Sequence, residues 1–587
     1  MAAPSRLSPR PANAAQALQA THWLLWLALL LAGALQAISL AWPWARGLEP
    51  GWLSLPGGYG RPLWWLQIAS LAVMAYGLLT ASTGKQAAGR AMVFATTWLV
   101  GAFWWLFISM HSYGGLAAPL AAAAVLLVAV FLGCYYATAA WFFSWCFKGL
   151  RQYSKVQAAI VFASVWTLAE LARGWLWTGF PWGASGYAHI EGPLAVLPRW
   201  VGVYGTGFVA AWLAAWLAIA VMAILRDKDL SAFSWRRTAL IVALTGVWLF
   251  LWTGREGATN ASATSAPMSV ELLQGNIPQD EKFEQGSGIP LALNWYAQAL
   301  HNAKAQLVVA PETAIPLLPQ QLPEGYMELV SGPFVRAGGQ QAALVGVPLG
   351  SFEQGYTNSV LGWMPGASTG VKTGVSTQAD HAQHHGHGTQ THSPQEQPSL
   401  QQPVYQYSKH HLVPFGEFIP PMFRWFTDLM NIPLGDFNRG GLAQPSLNWQ
   451  GQRLSPNICY EDLFGEEIGA NFRDASQAPT ILVNFSNIGW FNNSVALDQH
   501  LAISRMRTLE FERPMLRATN TGATVVIDHT GKVQSALPPL ERAVLRSKVQ
   551  GREGLTPYAR WVSALGLVPL AVLCLLAVAW CRGRQRR

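Results

Sequence analysis

The chain has 587 residues, too many for one ordinary globular core, so at least two structural units are expected. Hydrophobic residues make up 51% of it, charged residues only 12%, and 29 residues are tryptophan, a profile typical of membrane proteins. The formal charge of +9 comes largely from basic residues in short loops and at the termini. The large polar segment has no basic cluster interleaved with aromatic residues, so we predict no nucleic-acid partner.

Eight apolar stretches are long enough to cross a bilayer, which takes about 20 residues. Seven precede residue 256 and one follows the polar segment; they cover roughly 22–42, 62–82, 91–111, 117–147, 156–174, 199–225, 238–254 and 558–580. The first is longer than the apolar core of a secretory signal and lacks a clear small-x-small cleavage site. We therefore expect it to be a retained helix.

Lysine and arginine are unevenly distributed among the connecting loops. They occur at the N-terminus, in the second, fourth and sixth loops and at the C-terminus, whereas the loop His111–Gly115 has none. Because short loops rich in these residues stay on the cytoplasmic side, both termini are predicted inside. Seven crossings then put residues 256–555 on the outer face.

The segment 256–555 has no apolar run of spanning length and contains short stretches with the composition of strands. These stretches are Met268–Ile277, Gln306–Ile315, Ala342–Gly350, Tyr356–Met364, Val404–Pro414, Arg453–Glu461, Thr480–Trp490 and Ala523–Val533. Helical patterns at Gly288–Lys304 and Ser494–Arg513 lie between them, which predicts an α/β layered domain. We divide the chain into a membrane domain (1–255), this outer domain (256–555) and a C-terminal helix with a basic tail (556–587).

One part of the outer domain has a different composition. Residues 366–402 are rich in Gln, Ser, Thr, Gly and His, with the run HAQHHGHGTQTH at the centre. Such a segment cannot bury enough apolar area to offset its ordering entropy. Imidazole is a common metal ligand, but the spacing is irregular. We expect a disordered insertion, with a metal site as the weaker alternative, and we assign no metal and no cofactor to the chain.

Three residues at predicted strand ends have the chemistry of covalent catalysis. Cys459 is a nucleophile if its proton can be removed. Glu312, held between two prolines after an apolar strand, is a candidate general base. Lys409 is a candidate for stabilising an oxyanion. Each has an ordinary explanation when taken alone: an exposed carboxylate, a solvated lysine and a buried small hydrophobic residue.

The motifs around these residues point to a known family. PETAIP, SKHHLVPFGEFIP and NICYEDLF match, in this order, the Glu–Lys–Cys signature of the nitrilase superfamily. Together with the predicted helices and the segments LLQGNIPQDEKF, LVNFSNIGWFNNS and RGWLWTGFPWGASGY, the chain resembles the membrane-bound apolipoprotein N-acyltransferase family. It departs from the family in the insertion and in Phe283, where a tryptophan is expected; this puts one aromatic contact in doubt.

The resemblance implies an αββα sandwich and assigns roles within it. Cys459 would be the nucleophile, Glu312 the general base and Lys409 the oxyanion stabiliser. Glu417 would orient the lysine or the base. Tyr460 and Glu461 would shape the pocket.

The resemblance also implies substrates and a location. Cys459 would take an acyl chain from a phospholipid and pass it, in a ping-pong reaction, to the α-amino group of diacylglyceryl-cysteine in apolipoproteins. Four residues would contribute substrate binding: Phe283, Trp425, Asn487 and Trp490. Trp425 begins an amphipathic arm, Trp425–Phe437, for which an ordinary surface loop is the alternative. The protein would be a monomer in the bacterial inner membrane, with a periplasmic catalytic domain.

Two other functions compete with this one. A membrane-tethered amidase of the nitrilase type would use the same triad and transfer the acyl group to water. A transporter or scaffold with an inactive outer domain would need no triad. Transport usually requires ionisable groups deep within the helices, and Glu170, near a helix end, is the main such group in the predicted spans.

Overall fold

The computed structural model describes residues 11–43, 60–146, 155–227, 261–264, 266–365, 405–419 and 437–583. Three predicted features lie wholly or almost wholly outside this range: the span 238–254, the insertion 366–402 and the segment 425–437 with Trp425.

Six long helices form the N-terminal part: α1 (Pro11–Leu40), α2 (Trp64–Leu79), α3 (Gly84–Phe103), α4 (Ala118–Cys146), α5 (Lys155–Trp175) and α6 (Pro198–Asp227). Four stretches are long and apolar enough to cross a membrane: Trp23–Leu40, Ala118–Cys146, Lys155–Thr178 and Pro198–Leu225. α2 is apolar but shorter. α3 forms a bent pair with Leu106–Tyr113, at 59°.

The last predicted span, 558–580, is not one straight helix. Two helices, α10 (Pro557–Leu565) and α11 (Val568–Gly583), meet at an angle of 92°. Gly566, between them, has a φ of +56°, which ends the first helix. α10 packs its apolar side against the α/β domain. The described residues thus contain four spanning helices, or up to six if each bent pair counts as one span, and the total of eight stays a prediction.

The α/β part contains two six-stranded sheets. The first has the order β13-β2-β3-β4-β5-β6 and the second the order β12-β11-β10-β9-β8-β7. Their bounds are β2 (Met268–Gln274), β3 (Leu307–Ala310), β4 (Ala342–Ser351), β5 (Gly355–Trp363), β6 (Tyr405–Ser408), β7 (Leu447–Trp449), β8 (Gln452–Ile458), β9 (Ile481–Ser486), β10 (Met515–Thr519), β11 (Val525–Ile527), β12 (Val533–Ala536) and β13 (Ala543–Val549). A short pair, β1 (Ser262–Ala263) with β14 (Arg552–Glu553), lies beside them.

The two sheets stack face to face with helices on their outer sides. Alternate residues of a strand point to opposite faces: Leu272 joins the core between the sheets, whereas Leu273 packs under the helices α7 (Gly288–His301) and α8 (Tyr326–Val335). The second sheet is covered by α9 (Val495–Phe511) and α10. The predicted αββα sandwich is confirmed.

Most predicted strands are present, and several end earlier than expected, among them β6 and β8. The N–H of Lys409, directly after β6, still donates to the carbonyl of Asn358 in β5. The ladder ends there, because the N–H groups of His410 and His411 donate to the carboxylate of Glu461 and not to a neighbouring strand. β8 stops at Ile458, where a 3₁₀ turn, Cys459–Leu463, begins. The sequence analysis missed β7, β10, β12 and β13, which are short or strongly polar.

Candidate active site

Three strand ends bring the predicted catalytic residues together. Glu312 lies two residues beyond β3, Lys409 directly follows β6, and Cys459 directly follows β8 of the facing sheet. The Nζ atom of Lys409 is 3.5 Å from Oε1 of Glu312. The charges of both residues also act on Cys459. Residues separated by up to 147 positions therefore meet at one edge of the sandwich.

The carboxylate of Glu312 is buried and fixed by donors on both oxygens. Oε1 accepts a hydrogen bond from Nδ2 of Asn358, at 2.7 Å. Oε2 accepts one from the backbone N–H of Asn487, also at 2.7 Å. Asn487, predicted as a substrate-binding residue, thus contacts the proposed base through its backbone. Its side chain bonds to Gln279.

Lys409 is 1% exposed and lies between two carboxylates. Its Nζ atom is 2.9 Å from Glu417, which also accepts hydrogen bonds from Asn358 and from the backbone of Val413. Burial lowers the pKa of Lys409, but the charges of Glu417 and Glu312 outweigh this effect, and the pKa is raised overall. The lysine is therefore a fixed cation at neutral pH, and Glu417 contacts it directly. The orienting role of Glu417 stays a prediction.

Cys459 occupies the tight turn after β8 with a φ of +52°, a left-handed conformation that non-glycine residues rarely adopt. Burial raises the pKa of its thiol to about 12, and the charge of Glu312 adds to the rise, whereas the charge of Lys409 opposes it. The resting residue is therefore a thiol, and a neighbouring base has to remove its proton as it attacks.

The residues after Cys459 point away from the sulfur. Glu461 accepts hydrogen bonds from the backbone N–H groups of Ile458 and His410, both at 2.6 Å, and from the hydroxyl of Tyr407. Glu461 therefore links the turn at Cys459 to the segment that follows Lys409. The hydroxyl of Tyr460 donates to the carbonyl of Gly179 at 2.9 Å, so this ring lies against the membrane-side loop. Its part in shaping the pocket stays a prediction.

Two predicted aromatic residues are partly exposed. Phe283 is 46% exposed and Trp490 is 38% exposed. The Trp490 ring packs edge-on against Tyr113, with ring centroids 5.8 Å apart. Their binding of substrate stays a prediction.

Several polar residues of the site were not found from the sequence. Asn358, on β5, donates hydrogen bonds to the carboxylates of both Glu312 and Glu417. The sequence feature that could have identified it is an amide side chain within a predicted strand. His500, on α9, donates from Nε2 to the carbonyl of Cys459 at 3.1 Å, because its Nδ1 accepts from Arg517 at 2.9 Å. Burial and Arg517 hold the pKa of His500 well below its usual range, so it is neutral. No local sequence pattern predicts that His500 on α9 belongs to the site.

Lys282 is a further residue that the sequence analysis did not single out. It is 2% exposed, and its Nζ atom donates to the backbone carbonyl of Glu312 at 3.3 Å. It directly precedes Phe283, whose ring centroid is 5.9 Å from the ammonium.

The site is packed against the membrane helices. The indole N–H groups of Trp105 and Trp182 both donate to Oε1 of Gln499, at 3.1 and 2.8 Å. Nε2 of His411 is 3.0 Å from the carbonyl of Thr178. Within the described ranges, no group of three or more His, Cys, Asp and Glu residues is arranged to hold a metal ion.

Two family models match the chain. One, described as the apolipoprotein N-acyltransferase N-terminal domain, matches residues 51–215, and one described as carbon-nitrogen hydrolase matches residues 373–558. Glu312 precedes the second match, although the structure puts it beside Lys409.

Relatives match over nearly the whole length. A protein named apolipoprotein N-acyltransferase from Verminephrobacter eiseniae is 51% identical over 95% of this chain and 96% of its own. One from Ralstonia nicotianae is 42% identical over 88% and 89%. Among solved structures, a carbon-nitrogen hydrolase from Helicobacter pylori has a TM-score of 0.31 at 15% identity, covering 48% of this chain and 88% of its own. A Nesterenkonia amidase has 0.29 at 16% identity, covering 51% and 94%.

Proposed function

Because the chain belongs to the apolipoprotein N-acyltransferase family, we propose that it acylates lipoproteins by a ping-pong reaction through a thioester on Cys459. The acyl donor is a phospholipid, and the acceptor is the α-amino group of diacylglyceryl-cysteine at the N-terminus of an apolipoprotein. The observation that carries this proposal is the contact of Glu312, Lys409 and Glu417 beside the strained turn of Cys459.

In the first half-reaction, Glu312 accepts the thiol proton while the sulfur attacks the ester carbonyl carbon of the phospholipid. The charge that develops on the carbonyl oxygen is stabilised by the fixed ammonium of Lys409. The carbon–oxygen bond to glycerol breaks, and Glu312 returns the proton to the leaving alkoxide. The products are a thioester and a lysophospholipid.

In the second half-reaction, the neutral α-amino group of the acceptor attacks the thioester carbon. Glu312 accepts one amine proton, and Lys409 again stabilises the oxyanion. The carbon–sulfur bond breaks, the thiolate regains its proton from Glu312, and the amide product leaves. Because both carboxylate oxygens of Glu312 are held by donors, the base keeps one orientation through both steps.

The contacts with the membrane helices support a site that opens toward lipid. Trp175 and Trp177, in the loop whose Gly179 carbonyl accepts from Tyr460, are 78% and 74% exposed. Tryptophan at such positions favours the membrane interface. We propose the domain boundaries given above, with the catalytic domain in the periplasm and both termini in the cytoplasm of a bacterial cell.

Mass spectrometry of the purified protein tests this function. Incubated with a phospholipid that carries a labelled acyl chain, the wild-type protein is expected to gain the mass of one acyl group on Cys459 and to lose it when a diacylglyceryl-cysteine peptide is added. Cys459→Ala should form neither the adduct nor the N-acylated peptide. Cys134→Ala, which removes an exposed cysteine of α4, is the matched control and should behave like wild type.

The alternative outcomes are distinct. Free fatty acid without an acylated peptide would mean that water is the acceptor, as in the amidase alternative. Normal peptide acylation by Cys459→Ala would exclude the thioester mechanism.

A further inference from the structure

A second buried lysine lies next to the proposed nucleophile. The only hydrogen bond of the Lys282 ammonium to a described residue is the one to the Glu312 carbonyl. Its charge interacts with those of Glu312 and Cys459. Two of its three N–H donors are therefore left for other partners. A buried cation of this kind costs free energy unless nearby negative charge compensates it.

The other cations around Cys459 already have carboxylate partners. Lys409 contacts Glu312 and Glu417, and Arg517 lies 3.6 Å from Asp462. Among the ion pairs of the described residues, none includes Lys282. Of these three cations, Lys282 is therefore the one that no carboxylate of a described residue contacts.

The charge balance of the site indicates what this lysine compensates. Glu312, Glu417 and Lys409 together carry one net negative charge. This charge stays in the site when the thiol proton moves to Glu312, and it then lies on Glu417 and on the anion formed at Cys459. Like charges in a buried site oppose one another strongly. With the ammonium of Lys282 included, the resting site is neutral, and formation of an anion at Cys459 is less unfavourable.

On the basis of the function proposed above, we propose that Lys282 is a second cation of the active site, which stabilises the anions formed at Cys459 in both half-reactions. It acts through its charge and keeps its proton throughout, so it forms no bond with the substrate. Its hydrogen bond to the carbonyl of Glu312 holds it on the side of the base. In this arrangement Lys409 fixes the carboxylates, and Lys282 supplies the uncompensated positive charge.

A pH signature separates this role from a purely mechanical one. Burial lowers the pKa of Lys282 to about 8, although Glu312 and Cys459 act in the opposite direction. The ammonium is therefore largely present near neutral pH and is lost as the pH rises past that value. Lys409 and Glu417, the other charged groups at this site, are unchanged in the variants. Their effect on the thiol pKa of Cys459 is therefore the same in every protein compared.

The experiment measures how fast iodoacetamide alkylates Cys459 in the full-length protein in detergent, without lipid, in wild type and in Lys282→Met. At about pH 7, the variant should react about tenfold more slowly, which corresponds to a rise of about one unit in the thiol pKa. The ratio should fall toward one at about pH 10, where the wild-type lysine is also neutral. Lys282→Arg, which stays charged at both pH values, should restore most of the rate at about pH 7 and should react faster than wild type at about pH 10.

Two controls make the result decisive. Lys304→Met changes an exposed lysine after α7 and should leave the rate unchanged. Thermal unfolding tests whether Lys282→Met is folded. If that variant is not folded, Lys282→Gln is used in its place. A ratio that does not vary with pH would mean that Lys282 only braces Glu312, and an unchanged rate would mean that it does not act on Cys459; either result overturns the proposal.

The same experiment distinguishes this inference from the proposed function. Alkylation reports on Cys459 without any acyl transfer. If Cys459→Ala still acylates the peptide, the thioester mechanism fails whatever the alkylation ratio is. If Cys459→Ala is inactive while Lys282→Met alkylates like wild type, the mechanism stands and the role of Lys282 fails.

Discussion

Residues next to Cys459 in the sequence are not the ones that control its sulfur. Glu461 accepts from the backbone on either side of the site, and Asp462 bonds to Ser504 behind the turn. Besides burial, the thiol pKa is raised by the charges of Glu312 and Glu417, which come from distant segments of the chain. A sequence run of acidic residues therefore says little about the charge around one atom, because successive side chains of a turn point in different directions.

Replacing Glu312 with Gln should have opposite effects on two properties of Cys459. Acyl transfer should fall by at least about a hundredfold, since the base is lost. The pH profile of alkylation by iodoacetamide should move to lower pH, because a negative charge that raises the thiol pKa is removed. Intact-mass kinetics across pH measure both. A profile that moves to higher pH would show that the charge of Glu312 does not oppose the thiolate.

At the scale of elements, α6 joins the membrane helices to the catalytic domain through a break. Gly202 interrupts its helical geometry with a φ of +66° and lies under the ring of Tyr558 from α10. The break frees the backbone N–H of Val203, which donates to Glu510 of α9 at 2.7 Å. A single glycine thus allows three helices to meet.

Gly202→Ala should destabilise the protein. The φ of +66° and ψ of −175° at Gly202 define a region open essentially to glycine, which costs another residue about 1–3 kcal/mol. The added Cβ would also lie 2.4 Å from Tyr558. We expect the apparent Tm in detergent to fall by several degrees. Gly286→Ala is the control, because this exposed glycine has no positive φ and no heavy atom within 4 Å of its Cβ position. That change should leave the Tm nearly unaltered. Equal losses in both variants would contradict the role of the break.

At the scale of the whole molecule, α9 connects the membrane loops with Cys459. Gln499 accepts from Trp105 and Trp182 on the membrane side, and the next residue, His500, donates to the carbonyl of Cys459. An ion pair at 3.0 Å between Arg199 and Glu512 adds a contact near the end of the same helix. The catalytic domain is thereby held in one position on the helices.

Gln499→Leu should weaken this junction. It leaves two buried indole N–H groups without their acceptor, at a cost of about 1–3 kcal/mol each. The measurement is thermal unfolding in detergent, with the exposed Gln320→Leu as the control. In the background of Trp182→Phe, Gln499→Leu should cost less, because one donor is already absent. Additive losses in this double-mutant cycle would mean that the two residues do not interact.

The sequence by itself determined the class of the molecule. Long apolar runs are sufficient to define most membrane helices, because bilayer thickness sets their length. Short apolar strands defined much of the sandwich, and β3, β6 and β8 lead directly into the motifs of Glu312, Lys409 and Cys459. These features depend on local composition and order, which a single chain displays.

Only the tertiary structure decided which side chains surround the sulfur. Three residues of the site come from different kinds of element: Asn358 from a strand, Lys282 from a loop and His500 from a helix. The sequence around each of them does not identify its partner. The bend at Gly566 likewise depends on α10 packing against the catalytic domain. Burial, distance and the direction of a side chain arise when distant segments meet, so the electrostatics of the site are properties of the fold and not of any one motif.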